Sequence, residues 1–276
     1  MQSSDKGFTE GLDRLIFFGS VAGIISLCLP LALFPEKGGV ILGRAFDFLT
    51  QQFGVFYVAG ASLTFAFLLY LAFSRHGDIR LGNSETEFST LSWAAMLFCG
   101  GIGTSVLYWG VVEWAYYFQA PPYGVSPQTP EAMLWSVSYP IFHWGLMGWS
   151  LYVLPGVAIA YSYYVRGAKS LRLSDACEPV IGRYAQGALG RAIDLLFVVG
   201  LVGACSIGIG LAVPLIGACV AELLGVDRAS LGFTLDVVVI VVVTCIFAGS
   251  VWMGLEKGIK RLSDLNVLLA MLLLAL

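Results

Sequence analysis

Stretches of about 20 apolar residues, each long enough at 1.5 Å per residue to cross the roughly 30 Å hydrocarbon layer of a bilayer, recur along the whole chain. They lie near 15–34, 53–73, 91–118, 133–164, 192–223 and 231–253, and a seventh begins at Leu265. Lipid offers no hydrogen-bond partners to a backbone, so runs of this length are read as helices that satisfy their own amides and carbonyls. Only 12% of the residues are charged, against about 25% in soluble domains. The chain therefore reads as an all-α, multi-pass membrane protein. The seventh run stops at Leu276, so the chain reads as the front part of a longer protein. The first run is too long for a signal-peptide core and no small-residue cleavage site follows it, which makes it an anchor.

The basic residues set an orientation. With the N-terminus in the cytoplasm, the inner segments hold Lys6, Arg14, Arg75, Arg80, Arg166, Lys169, Arg172, Arg183, Arg191, Lys257, Lys260 and Arg261, twelve of the 15 in the chain. The outer segments hold only Lys37, Arg44 and Arg228. That asymmetry follows the positive-inside rule and gives a cytoplasmic N-terminus, with the inner (plasma) membrane as the expected location.

The third run contains "CGGIGTSVLYWGVVEW", residues 99–114, with Gly100, Gly101 and Gly103 about ten residues into the span. A helix unwinds at membrane depth only where protein or water satisfies the freed backbone groups, and in carriers such breaks hold ions and substrate. The alternative is that small residues merely let helices approach closely. In the next run, "HWGLMGWSLY", Trp144, Trp149 and Tyr152 fall within about 140° on a continuous helix, so one face can present three rings. Such a face suits a methylated cation, which has no hydrogen to donate. The competing reading makes the rings interfacial belt residues.

Three acids lie in the spans, Glu113, Asp194 and Asp236. All sit toward span ends, where water or headgroups would meet them, although intramembrane acids are functional candidates by default. His143 can carry a proton or serve as a hydrogen-bonded packing residue. Gly200, Gly203, Gly208 and Gly210 in the fifth run read as packing glycines. The six cysteines show no metal-ligand spacing. No catalytic triad, zinc motif or phosphate-binding loop is present, so the expectation is a protein that is not an enzyme, has no catalytic residues, metal site or organic cofactor, and binds no nucleic acid.

These motifs carry a resemblance. "GGIGTSVLYWGVVEW" is similar to the glycine-rich signature of the betaine/choline/carnitine transporter family. "HWGLMGWSLY" resembles that family's His-Trp, Trp, Tyr pattern, and "GLEKGIKRLSDLN" its stretch before the seventh helix. The resemblance implies a LeuT-like inverted-repeat fold of twelve helices, about seven of them present. Residues 1–89 would hold the cytoplasmic N-terminus and two peripheral helices, and 90–276 an incomplete first repeat. It implies a secondary carrier of quaternary-ammonium or related onium solutes (betaine, choline or carnitine), working by alternating access. Substrate would meet Trp144, Trp149, Tyr152, Gly101, Ile102 and Gly103, with backbone carbonyls of Cys99 and Ile102 available to a coupling ion, Na+ or H+. The implied partners are the solute, the bilayer and further copies in a homotrimer. There are departures: Ser105 replaces the third glycine of the signature, Trp114 follows Glu113 where the family has proline, and Val199 and Gly203 occupy the positions of hydroxyl side chains in sodium-driven relatives. Two other readings stand beside this one: a carrier of the same architecture for amino acids or other zwitterions, and a truncated membrane remnant that does not transport.

Overall fold

Asp13 starts the first helix. Its carboxylate accepts from the amides of Leu15 and Ile16 at 3.2 and 3.3 Å, satisfying donors that a helix start leaves open. Those amides, the Ile16 bond first, and the Arg172 guanidinium hold the Asp13 carboxyl below its ordinary range. In this computed structural model, which describes residues 13–82, 85–101 and 103–275, helix α1 (Arg14–Leu33) turns at Phe34 directly into α2 (Pro35–Phe73). Pro35 opens α2 at a position where no amide hydrogen is required. The sequence reading left the stretch between the first two spans as an outer loop. It is helical instead, and the 39 residues of α2 run about 58 Å, well beyond the hydrocarbon thickness.

Next come α3 (Thr90–Gly101), α4 (Thr104–Gln119), α5 (Pro130–Trp144), α6 (Leu146–Tyr164) and the short α7 (Leu173–Ile181). A 3-10 turn (Gly182–Gln186) leads into α8 (Ala188–Leu224). Helix α9 (Arg228–Trp252) is broken near its start by Gly232, whose φ of 57° only glycine adopts readily. A π-helical turn (Leu255–Ile259) leads into α10 (Lys260–Ala275). Among the described residues, five helical stretches are long and apolar enough to span a membrane, with α5 and α6 counted together, and six if α3 and α4 form one bent span.

Burial is inverted relative to a soluble core. The buried positions are mostly small, among them Ser20, Ala61, Ala95, Ala132, Ser136, Ser150, Ser162 and Ala212, while many Phe, Leu and Val side chains face outward. Lipid is as apolar as leucine, so helices gain little by hiding large side chains and associate through close backbone approach instead. Some buried serines spend their hydroxyls on their own helices, as Ser136 does on the Ala132 carbonyl at 2.7 Å, and others reach a neighbouring one, as Ser162 of α6 does to the Asp175 carbonyl of α7 at 3.3 Å.

The chain divides into two compact units. The first comprises Met1–Asn83 and Leu146–Gly203. In it α1 packs on α2, α2 on α6 and α6 on α7. Asp194 is buried, and Ser174 donates to it from its amide at 3.0 Å and its hydroxyl at 2.8 Å. This corrects the reading of Asp194 as an acid facing headgroups: it anchors the start of α7. The second unit comprises Ser84–Gly145 and Ala204–Leu276, with α4 packed on α5 and α3 on α10. Here Asp236 pairs with Arg228, whose guanidinium lies against Gly217, where an added Cβ would come within 2.7 Å of Nε.

Candidate functional site

The glycine cluster breaks the third span as its composition predicts. Helix α3 ends at Gly101, Gly103 is extended (φ −96°, ψ −171°), and α4 begins at Thr104 with its axis bent 59° from α3. The break is shorter than the 99–105 stretch the sequence singled out. Cys99 and Gly101 close α3, Gly103 forms the N-cap of α4, and Ile102 lies outside the described residues. The Gly103 carbonyl accepts from Val106 and Leu107 at 3.1 and 3.4 Å, starting the new helix. The last carbonyls of α3, by contrast, lose the donors that a continued helix would bring.

The two halves of the broken span have different neighbours. Ser92 of α3 donates to Asp264 of α10 at 3.3 Å, and the Cys99 thiol reaches the Ser263 carbonyl at 3.6 Å. Asp264 also receives Lys260 at 2.8 Å. Helix α4 instead packs along α5 through rings: Tyr117 stacks on Tyr139 with centroids 4.6 Å apart, and Tyr139 lies 5.7 Å from Trp135.

Glu113 is the buried centre of this second pair. One carboxylate oxygen lies 2.6 Å from Nδ1 of His143, and the other accepts from the Trp144 indole at 2.7 Å. It is only 7% exposed, so contact with water or headgroups, expected from its place in the span, is replaced by two protein partners. Beside it opens a cavity of about 330 Å³ lined by Trp109, Glu113, Tyr116, Tyr117 and Trp144. Sequence reasoning missed this cluster, yet a signal was available. Trp109, Tyr116 and Tyr117 stand at i−4, i+3 and i+4 from Glu113, the spacing that gathers side chains on one helical face.

The expectation that Trp144, Trp149 and Tyr152 share one face of a continuous helix is overturned. Gly145 is extended (φ −88°, ψ −160°), so α5 stops at Trp144 and α6 starts at Leu146. A Cβ at Gly145 would lie 2.3 Å from the Ile141 carbonyl, which is why glycine permits this break. Trp144 belongs to the Glu113 cluster in the second unit, whereas Trp149 and Tyr152 lie in the first, their rings edge to face at 6.1 Å.

Residues 15–276 match the family described as BCCT, betaine/carnitine/choline family transporter. Over 262 residues, 95% of this chain and 46% of the relative, the sequence is 36% identical to a carnitine transporter of Acinetobacter baumannii. It is 33% identical over 264 residues to the high-affinity choline transport protein of Escherichia coli, covering 95% of this chain and 38% of that protein. It is 38% identical over 230 residues to the glycine betaine transporter OpuD of Bacillus subtilis, 82% of this chain and 44% of that protein. The chain thus spans less than half the length of these relatives.

Proposed function

The chain belongs to the betaine/carnitine/choline transporter family, and from that premise we propose that it forms the first part of a secondary carrier for a quaternary-ammonium or related onium solute. The observation that carries the reading is the ring-lined cavity of Trp109, Tyr116, Tyr117 and Trp144 directly after a broken membrane helix. A trimethylammonium head spreads its charge over methyl groups and cannot donate a hydrogen bond. Aromatic faces attract it electrostatically and cost little to desolvate. At the break, the carbonyl end of α3 offers partial negative charge to a cation, and the amide end of α4 partial positive charge to a carboxylate. That polarity suits zwitterions such as betaine or carnitine.

On this reading the solute head lies against Trp144. Its carboxylate is drawn toward Gly101, Ile102 and Gly103, while Cys99 and Ile102 offer carbonyls to a coupling ion. Alternating access proceeds by re-aiming α4 and α5 about the two extended glycines. The N-terminus is cytoplasmic, and the complete protein is a homotrimer in the plasma membrane.

The decisive experiment is uptake of labelled betaine, choline and carnitine by the complete transporter in proteoliposomes, with unlabelled amino acids as competitors. Saturable uptake of one onium solute, unaffected by the amino acids, is expected. Transport of none of the three, or amino acids displacing the labelled solute, overturns the assignment.

A further inference from the structure

A second set of rings joins the cavity to the turn between α4 and α5. Tyr123 and Trp135 have centroids 5.0 Å apart, Trp135 and Tyr139 5.7 Å, and Tyr139 stacks at 4.6 Å on Tyr117, which itself lines the cavity. All four lie in the second unit. The series is graded: Tyr123 is 78% exposed, whereas Trp135, Tyr139 and Tyr117 are half-buried. Glu131, Trp135 and Tyr139 follow one another at intervals of four on α5, so one helical face carries the acid and both rings.

Tyr123 is held in place at a conformational cost. The Val125 amide reaches the Pro122 carbonyl at 3.3 Å, and both residues between them have positive φ, 59° for Tyr123 and 73° for Gly124. Asparagine or glycine serves such a turn with less strain. Tyrosine answers no need of the backbone here, and its hydroxyl, which accepts from that of Tyr139 at 3.3 Å, fixes the ring beside α5. Strained residues collect where a side chain is presented for binding. The charges agree with a cationic ligand. Residues 104–144 contain no lysine or arginine, and acids stand at both ends of the ring series, Glu131 at the turn and Glu113 at the cavity.

We infer that Tyr123, Trp135 and Tyr139 form an outer binding station for the cationic head of an onium solute, which then passes over Tyr117 into the cavity. The inference rests on the carrier reading and the orientation proposed above, which puts the 120–129 turn on the extracytoplasmic side. Attraction between a cation and ring faces strengthens as water is left behind. A head captured weakly at the exposed Tyr123 therefore gains attraction at each half-buried ring further in, and no fixed positive charge opposes it. The station governs how fast dilute solute is captured, and the cavity governs turnover.

The test measures initial uptake by the complete transporter over a range of external concentrations, the probe being whichever of labelled betaine, choline and carnitine the wild type takes up best. Tyr123→Leu and Trp135→Leu keep apolar bulk and remove the ring. Each is expected to raise KM about two- to fivefold, as loss of an exposed cation–π contact would, with kcat per transporter at the surface unchanged. Tyr123→Phe and Trp135→Phe keep a ring face and should stay within about twofold of wild type. If the leucine variants do not reach the membrane, fluorinated tryptophans placed at position 135 by stop-codon suppression take their place. Fluorine drains negative charge from the ring face with little change of shape, so KM is expected to rise with each fluorine. An unchanged KM in the leucine variants, a fall in kcat alone, as for rings that only pack, or a KM indifferent to fluorination overturns the outer station. A wild type that takes up none of the three solutes overturns the carrier reading instead.

Discussion

Trp144 does two jobs with one side chain: its ring lines the cavity and its N–H holds a buried carboxylate. The two can be separated by substitution. Trp144→Ala should weaken solute affinity by about 1–2 kcal/mol, the value of a desolvated cation–π contact, and leave Glu113 short of a donor. Trp144→Phe should keep much of the affinity, because a ring face remains, while losing the hydrogen bond. Measured by KM for uptake, equal affinity in wild type and Trp144→Ala would remove the ring from the site. The sequence marked Trp144 because large rings deep in a span are conspicuous. It did not reveal the partnership with Glu113, since residues 31 apart meet only when α4 folds back along α5.

The decisive features among the elements are two breaks, one legible and one not. Three glycines in four positions announced the end of α3. The single Gly145, between two tryptophan-rich turns, looked like ordinary helix, and the three-ring face was drawn across it. Which glycine unwinds depends on what surrounds it, because a lone glycine in an apolar helix serves equally as a packing notch. The surroundings of Gly103 also sharpen its test. A Cβ there meets no atom within 4 Å, and its extended φ suits any residue. Gly103→Ala should therefore transport nearly as wild type, whereas Gly103→Leu should insert normally and transport at least about tenfold less, given that a misplaced substrate-positioning element costs rates of that order or more. Full uptake by the leucine variant, measured at equal surface abundance, would separate the break from transport.

Across the whole molecule, a chain covering 38–46% of these three transporters already displays the membrane architecture that its composition dictates. The proposed orientation is testable in a background lacking the six cysteines. A cysteine replacing Gln128 should react with a membrane-impermeant maleimide added outside, and one replacing Lys169 only after the membrane is opened. The reverse pattern would invert the topology. The sequence by itself determined that the chain is helical and membrane-embedded, to which family it belongs and where its main helix break falls. These follow from local properties: run length, apolar content and clustered glycines act on the backbone wherever the chain goes. Only the tertiary structure decided that α5 stops at Trp144, that α2 continues through a stretch read as loop, and that Glu113 is buried against His143 and Trp144. Those outcomes depend on packing between segments far apart in the chain, and helical periodicity contains no information about which neighbour a face will meet.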